Sequence, residues 1–202
     1  AVLCNAEAFV DRPGEWSCQP TENGRYRVVF FPRQPADLER TQTRVRDTLF
    51  RVHNAGHVRF ENLELAGAAL YGLHFTHCRD MEVRRCLVYN NGLNKGPAGR
   101  GVYLVRSDRV TLDSCRIFAN TYVGVTVSQS RNVRLRGCEI MRNAMDGLTV
   151  TGRPSEPDNP ARDVTLENCY LHHHLNLGHP DNSQMYNHVR GITYSNNLLL
   201  LA

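Results

Sequence analysis

Two aspartates beside turns are the residues whose type and spacing best suit chemistry in this sequence. Asp146 directly precedes Gly147, and Asp181 occupies the matching position one repeat later. If successive repeats stack as neighbouring strands, the two carboxyls lie roughly 5 Å apart. Retaining glycosidases hold a nucleophile and an acid/base carboxyl at about that separation, where like charge raises one pKa. The sequence therefore predicts Asp146 and Asp181 as a catalytic pair, although Asp before Gly is also ordinary turn chemistry.

A Gly-rich stretch containing the only lysine of the chain offers a different chemistry. The stretch runs from Asn90 to Arg100, with Lys95 in its middle and Arg100 at its end. Removal of the C5 proton of a uronic acid needs a base, and the resulting anion needs a cation to stabilise it. Lys95 as the base and Arg100 on the carboxylate would serve. Elimination by a polysaccharide lyase is therefore the alternative to hydrolysis.

A short repeat supplies the elements that would position these residues. Asp108–Val127 and Arg131–Val150 are two successive copies, and the first apolar position recurs at intervals of 23, 29, 23, 31 and 28 residues, at Val58, Met81, Val110, Val133, Val164 and Ile192. Apolar and polar residues alternate within each copy, which is typical of half-buried strands, and no window favours a helix. Because so short a unit cannot bury its own apolar face, the copies must stack.

Further columns follow when the copies are aligned. One is rich in cysteine, at Leu63, Cys86, Cys115, Cys138, Cys169 and Asn197, and the next apolar one holds Leu65, Val88, Ile117, Ile140, Leu171 and Leu199. We predict that the stacked cysteines are buried apolar residues that need no disulfide. Asn91, Asn120 and Asn143 mark a corner, where we expect left-handed backbone and amide bonds from coil to coil. Gly72, Gly101, Gly124 and Gly147 open the following strand.

The outward positions of that following strand form a candidate binding surface. They are His74, Tyr103, Thr126, Thr149 and Gln184, because Ser183 and Met185 make the better inward pair of the last copy. Insertions near 93–98 and 174–179 fall at the corner before this strand and would wall a groove along it, whereas the insertion near 153–160 falls at another corner. The sequence predicts Gln184, Tyr103, Arg100, Lys95 and His74 as substrate-binding residues.

Short strands, Gly and Asn corners and the absence of helices resemble the right-handed parallel β-helix superfamily of pectate lyases and related glycan-cleaving enzymes. The resemblance covers residues 43–202. It implies an all-β, single-stranded right-handed parallel β-helix (a solenoid) of roughly six coils after an irregular N-terminal cap segment, residues 1–42. It also implies a polysaccharide or oligosaccharide ligand, a secreted or periplasmic location, and Ca²⁺ as the ion to consider if the reaction is elimination.

The stretch Gly178–Gln184 is similar to a His-x-Asp-x-x-Gln motif of bacterial β-helix proteins related to polysaccharide lyases and glycosidases. The resemblance implies that His179 and Asp181 are catalytic and that Gln184 lies on the groove. The family pattern usually has an apolar residue where this chain has Ser183. A solvated loop with a proline turn is the alternative interpretation of this stretch.

Composition and spacing argue against several other functions. A net charge of +4 is too small and too mixed for a nucleic-acid partner, and no apolar run is long enough to span a membrane. No Cys-x-x-Cys motif is present, and three adjacent histidines, His172 to His174, cannot share one face of a strand, so no metal site is predicted. Cys4 and Cys18, outside the repeats, could pair in an oxidising compartment.

The apolar residues at the end of the sequence predict that other protein surface covers the last coil. The sequence stops in mid-repeat with an apolar run, Leu198–Leu201, whereas terminal coils of a solenoid need polar caps. We therefore expect the remainder of a longer chain, or an oligomer, to cover that end. Since one fold hosts many functions, a non-catalytic glycan-binding or structural module is the third hypothesis beside the hydrolase and the lyase.

Overall fold

Six coils of chain, each contributing one strand to each of three parallel sheets, wind between residues 46 and 201 of this computed structural model. The structure describes residues 2–4, 11–13, 15–20, 26–31, 34, 46–92, 99–174 and 180–201. It contains two compact units, Ala1–Thr43 and Arg44–Ala202. Each coil passes from sheet 1 to sheet 2 to sheet 3, and the predicted six-coil parallel β-helix is confirmed.

The strands follow in chain order within each sheet. Sheet 1 contains β4 Thr48–His53, β7 Tyr71–Thr76, β10 Arg100–Val105, β13 Val125–Ser128, β16 Leu148–Thr151 and β19 Ser183–Tyr186. Sheet 2 contains β5 Arg59–Glu61, β8 Arg79–Arg84, β11 Asp108–Asp113, β14 Arg131–Arg136, β17 Ala161–Glu167 and β20 Val189–Ser195. Sheet 3 contains β6 Glu64–Ala66, β9 Leu87–Tyr89, β12 Arg116–Phe118, β15 Glu139–Met141, β18 Tyr170–His172 and β21 Leu198–Leu200. Coil 1 holds β4 to β6, and coil 6 holds β19 to β21.

The first unit contains a small separate sheet. Its strands are β1 Val2–Cys4, β2 Glu15–Pro20 and β3 Tyr26–Phe30. β1 pairs with β2 in parallel, and β2 pairs with β3 in antiparallel fashion. The side chains of Cys4 and Cys18 lie outside the described residues, so their pairing stays a prediction. No helix in the described ranges is long and apolar enough to cross a membrane.

The interior is built from the columns that the repeat predicts. Strand pairing places Val110 opposite Met81 and Val133, and Ile117 opposite Val88 and Ile140. All of these side chains are buried. Because successive side chains alternate between the two faces of a strand, this register leaves every second residue of sheets 1 and 2 on the outer surface.

The stacked cysteines are free and buried, as predicted. Each thiol lies near carbonyls of its own coil and of the preceding one; the Cys115 Sγ, for example, donates to the Val83 carbonyl at 3.4 Å. Contact with the Cys115 and Cys169 thiols, together with burial, holds the pKa of Cys138 well above its usual range. Cys138 therefore packs as a neutral, apolar side chain.

A ladder of asparagine amides runs up the corner between sheets 3 and 1. Nδ2 of Asn91 donates to Oδ1 of Asn120 at 3.0 Å, and Nδ2 of Asn120 donates to Oδ1 of Asn143 at the same distance. The predicted bonding between coils is confirmed. The expectation of left-handed backbone at these asparagines was wrong, because the positive φ belongs to the residue before each rung, Asn90, Ala119 and Arg142. The ladder asparagines keep ordinary backbone and turn their amides along the axis.

Column glycines make room for this ladder. A Cβ at Gly101 would lie 2.8 Å from Nδ2 of Asn120, and one at Gly124 would lie 2.7 Å from Nδ2 of Asn143. The fourth rung is His174, whose Nε2 would lie 2.5 Å from a Cβ at Gly147. His174 is buried, and neither ring nitrogen has a hydrogen-bond partner among the described residues. Burial first, and then the nearby His172 and His173, lower its pKa to about 4.

Candidate functional site

The outer face of sheet 1 contains the column of outward residues that the sequence predicts as a binding surface. Strand pairing aligns Arg51 with His74, His74 with Tyr103, Tyr103 with Thr126, Thr126 with Thr149, and Thr149 with Gln184. The predicted register of this column is therefore confirmed through all of its members. Arg51 extends the column into coil 1.

Three aromatic rings gather at coils 2 and 3 of this face. The His74 ring stacks on the Tyr103 ring with centroids 5.0 Å apart and an angle of 14° between the planes. Tyr71 lies 4.9 Å from His74 and 5.3 Å from Tyr103. Neighbouring coils are one strand spacing apart, so rings in the same column stack almost by necessity. We call His74, Tyr103, Tyr71 and Arg100 the sheet 1 cluster.

Arg100 completes this cluster from the neighbouring column. Its guanidinium lies over the Tyr103 ring at 4.7 Å and over the Tyr122 ring at 5.2 Å. Its Nε donates to Oγ1 of Thr126 at 3.0 Å. A guanidinium held between two rings and a hydroxyl is fixed in orientation, and a fixed guanidinium suits a carboxylate ligand. The prediction that Arg100 binds a carboxylate stays a prediction.

The electrostatics of His74 favour its neutral form. Burial, followed by the positive charges of Arg51 and Arg100, lowers its pKa. Its Nε2 lies 3.1 Å from Oγ1 of Thr76, whereas its Nδ1 is buried without a hydrogen-bond partner in the described part of the chain. Of the two ring nitrogens, Nδ1 is therefore closed to a ligand on this face. A neutral imidazole can accept a proton, and the nearby guanidiniums of Arg51 and Arg100 would attract an anionic ligand to it.

Asp146 and Asp181 lie on adjacent coils, 5 and 6, and are linked by a hydrogen bond. The Asp181 backbone N–H donates to Oδ1 of Asp146 at 3.1 Å, and Oγ1 of Thr149 donates to Oδ2 at 2.8 Å. Asp146 is 1% exposed. Both oxygens of Asp146 thus accept bonds inside the protein, and one of these bonds ties two coils together. Their predicted catalytic pairing stays a prediction.

Two predicted site residues belong to the long connections between sheets 3 and 1. Lys95, between β9 and β10, and His179, between β18 and β19, lie outside the described residues. Gln184 is half-buried on β19 beside Thr149. The insertions that contain Lys95 and His179 both join sheet 3 to sheet 1, which is the corner that the sequence predicted.

The third insertion joins β16 to β17 and is anchored along the opposite edge of sheet 1. The Glu156 carboxylate accepts two hydrogen bonds from Nη2 of Arg106, at 2.6 and 2.8 Å, and one from Nε2 of Gln129 at 2.7 Å. Arg106 follows β10 and Gln129 follows β13, so a loop from coil 5 reaches back over coils 3 and 4. The bonds from Gln129 and Arg106 lower the pKa of Glu156 to about 2.

Sequence reasoning missed three residues of this surface. Arg51 had a usable signal, because the alternation of Leu49, Phe50, Arg51 and Val52 places it outward on the first strand. Tyr71 is the first residue of β7, directly before the column glycine Gly72, and its signal is this repeated position. Tyr122 lies in a bend before β13, and a bend residue carries no periodic signal. Among the described residues, no group of three His, Cys, Asp or Glu side chains is arranged to hold a metal ion.

Comparisons with known proteins agree with this architecture. Residues 43–197 match the family described as the right handed beta helix region. The A-module of the mannuronan C-5 epimerase AlgE4 from Azotobacter vinelandii is similar, with 16% identity over 70% of this chain and 41% of that chain and a TM-score of 0.56. A double mutant of the periplasmic alginate epimerase AlgG has 14% identity over 75% and 39%, with a TM-score of 0.53.

Pectate lyase Pel9A has 15% identity over 65% of this chain and 32% of that chain, with a TM-score of 0.48. At these identities the likeness to solved structures concerns the fold alone. The chain spans about two fifths of the length of the two epimerase structures. No curated protein sequence matches it.

Proposed function

This chain belongs to the right-handed β-helix family, and we propose that it acts on a uronic-acid polysaccharide lying along the outer face of sheet 1, where it moves the proton on C5. The observation that best supports this proposal is the sheet 1 cluster. In it the His74 ring, whose neutral form is favoured, stacks on the Tyr103 ring, and the Arg100 guanidinium lies over Tyr103. These side chains supply a base, a hydroxyl and a cation within one strand spacing of each other.

The proposed reaction begins with proton transfer to Nε2 of His74. The C5–H electron pair then delocalises into the uronate carboxylate, whose growing charge the Arg100 guanidinium stabilises. In elimination the pair next forms the C4–C5 double bond, while the departing oxygen takes the C4–O pair and a proton from Tyr103. In epimerisation a water molecule instead gives a proton to C5 from the side of the sugar that faces away from sheet 1, and His74 releases its proton to solvent. Both outcomes share the first step.

The charge of the surface supports an anionic substrate. Arg51 lies in the His74 column one coil before it, and Arg100 lies one coil after it, so the base is flanked by two guanidiniums. Burial, and then the same two charges, lower the pKa of His74 and so favour its neutral form. A uronate bound there meets a cation and an available base together, which a neutral sugar could not exploit.

The similar structures with the higher TM-scores point in the same direction. They are a mannuronan C-5 epimerase and a periplasmic alginate epimerase. From these names the proposal takes a class of substrate and a location outside the cytoplasm, secreted or periplasmic. Gln184, on the same face, is proposed to contact the polysaccharide, and Lys95 and His179 are proposed from the sequence to do so as well. Ca²⁺ is the ion that the proposal includes if elimination follows, with no residue assigned to it.

Hydrolysis by Asp146 and Asp181 receives less support from the geometry. A nucleophilic or acidic carboxyl must reach the glycosidic bond, whereas the Asp146 carboxylate is buried and accepts two internal hydrogen bonds. Using it for catalysis would break the bond to Asp181 that ties coils 5 and 6. C5 proton transfer by the sheet 1 cluster requires no hydrogen bond between coils to be broken.

Incubation with polyuronates and neutral polysaccharides in D₂O tests the proposal. We expect deuterium at C5 of a polyuronate by NMR, accompanied by ultraviolet absorbance of an unsaturated uronate if elimination follows. His74→Gln should lower the exchange rate at least about 100-fold, because it removes the base. Arg100→Lys should lower kcat about 100-fold, because a flexible ammonium replaces the oriented guanidinium.

The control is His53→Gln, which changes an outward histidine of the same sheet that is absent from the cluster. It should exchange C5 protons at the wild-type rate. New reducing ends without C5 deuterium or absorbance would favour hydrolysis and sink the proposal. Binding of polyuronate without any reaction would favour the non-catalytic module.

A further inference from the structure

A polar groove on the outer face of sheet 2 lies apart from the sheet 1 cluster. It has a volume of about 530 Å³. It crosses coils 2 to 5, which is about 14 Å for three strand spacings. Met81 and Val133 line it although their side chains are buried, so its floor there is backbone. We call it the sheet 2 groove.

One wall of the groove is a column of residues with left-handed backbone. Asp80, Arg109, Asn132 and Asp163 occupy the same position of successive coils, with φ values of 53°, 52°, 53° and 54°. Nε and Nη2 of Arg109 donate to the two carboxylate oxygens of Asp80 at 2.6 and 2.9 Å. Nδ2 of Asn132 donates to Oδ1 of Asp108 at 2.7 Å. These bonds hold the polar groups of this wall in place.

The other wall is the outward column of the sheet itself. Pairing aligns Glu82 with Thr111, Thr111 with Arg134, and Arg134 with Thr165. Glu82 accepts a hydrogen bond from Nε of Arg59 at 2.6 Å. The side chains of Arg134 and Asp163 are 55% and 57% exposed, so the groove is open to solvent over coils 4 and 5.

We infer that the sheet 2 groove binds a neutral, hydroxyl-rich oligosaccharide. Sugar hydroxyls both donate and accept hydrogen bonds, and the walls offer carboxylates, guanidiniums, an amide and threonine hydroxyls side by side. Because ion pairs already orient Arg109 and Glu82, little side-chain entropy is lost when a ligand binds.

Charge separates this groove from the sheet 1 cluster. Three carboxylates and two guanidiniums line the groove, so a polyanion gains nothing there. On sheet 1, by contrast, Arg51 and Arg100 flank the candidate base. The two faces therefore select different ligands. A neutral segment, or a separate neutral chain, is held on sheet 2 while a polyuronate occupies sheet 1.

Saturation-transfer NMR and calorimetry with cellohexaose, mannohexaose, maltohexaose and a hexauronate test this inference on the full chain. We expect at least one neutral hexasaccharide to bind, and the hexauronate not to compete with it. Thr111→Tyr places a large ring in the middle of the groove and should weaken binding at least tenfold. Asn132→Ala should weaken binding severalfold by removing the amide.

Thr193→Tyr is the matched control, because Thr193 continues the Thr111 column on coil 6, beyond the residues that line the groove. It should bind like the wild type. The inference fails if no neutral hexasaccharide binds, if Thr111→Tyr binds as tightly as Thr193→Tyr, or if His74→Gln abolishes the neutral binding. C5 exchange on polyuronate should be unchanged in Thr111→Tyr, so the two proposals stand or fall separately.

Discussion

His74 shows how neighbouring charges prepare a single residue for its proposed role. Burial lowers its pKa most, and the guanidiniums of Arg51 and Arg100 lower it further. Each of these effects penalises the imidazolium and leaves the neutral base. The residue would therefore stay competent as a base below the pH at which an exposed histidine becomes protonated.

Arg51→Gln tests this electrostatic argument. Removing one positive neighbour should raise the pKa of His74, so the acidic limb of the pH profile of kcat/KM for C5 exchange should move to higher pH. The profile is measured on a polyuronate across mildly acidic and neutral pH. Arg59→Gln, which changes an arginine on sheet 2, should leave the limb in place. If the acidic limb of Arg51→Gln keeps its position or moves to lower pH, the assignment of His74 as the base is contradicted.

His174 is the residue at which acid should weaken the fold. Its pKa is about 4 in the native state and 6.5 when unperturbed. Between these values the unfolded chain binds a proton that the native chain does not, so stability falls as pH drops from about 6.5 towards 4. This one residue should cost about 2 kcal/mol of unfolding free energy between pH 7 and pH 5.

His174→Asn removes that sensitivity and continues the asparagine ladder. We expect a smaller loss of stability between pH 7 and pH 5 than in the wild type, and a gain of about 1 kcal/mol at pH 7 from ladder hydrogen bonds. Urea unfolding at both pH values measures the two effects. His188→Asn changes an exposed histidine and should retain the wild-type pH dependence. Equal pH dependence in His174→Asn and wild type would exclude this role for His174.

At the scale of elements, the corner ladder matters more than any single strand. Oδ1 of Asn120 accepts from both the backbone and the side chain of Asn91, and its Nδ2 donates to Asn143 and to the Val88 carbonyl. Four polar groups on coils 2 and 4 depend on this one buried amide of coil 3. Asn91, the first asparagine of the ladder, also lies just after β9, at the start of the long connection to β10.

Asn120→Ala should therefore destabilise the β-helix by about 3 kcal/mol, because it leaves several buried donors and acceptors without partners. Chemical unfolding followed by circular dichroism gives the value. Asn159→Ala removes an exposed asparagine from the β16–β17 loop and should cost about 0.5 kcal/mol or less. If both substitutions cost the same small amount, the ladder does not hold the corner.

At the scale of the whole molecule, the β-helix is a stack in which each coil contacts only its neighbours. Its stability then approximates a sum of coil and interface contributions. An interior coil is covered on both sides, whereas coils 1 and 6 are more open; Leu63 and Leu199 are 36% and 43% exposed, but Leu135 is fully buried.

Leu135→Ala and Leu63→Ala compare an interior coil with the first coil. We expect a loss of about 2–5 kcal/mol for Leu135→Ala, since it opens a cavity between coils 3 and 5. Leu63→Ala should cost about 1 kcal/mol or less, because its side chain is already partly in water. The midpoints of denaturant unfolding measure both. Similar losses for the two would mean that the outer coil is as tightly packed as the interior.

Much of the architecture was predictable because a solenoid repeats one environment. The interval between Val110 and Val133, the cysteine column and the alternation around Tyr103 each report the same position on successive coils, and strand pairing confirms all three. Since stacked coils are related by one strand spacing, a residue aligned in sequence is a neighbour in space. Sequence alone thus determined the fold, the register and the face that carries His74, Tyr103 and Gln184.

Other features were decided only by the tertiary structure, because turn side chains and loops take their direction from packing across coils. Asp146 could point to solvent or inward by sequence, and hydrogen bonds with Asp181 and Thr149 turn it inward. His174 takes the place of an asparagine beside Gly147, and its two ring nitrogens are buried without a hydrogen-bond partner among the described residues. Tyr122 meets Arg100 from a turn without periodicity. Position in a column follows from the repeat, but the environment of a side chain follows from its neighbours on other coils.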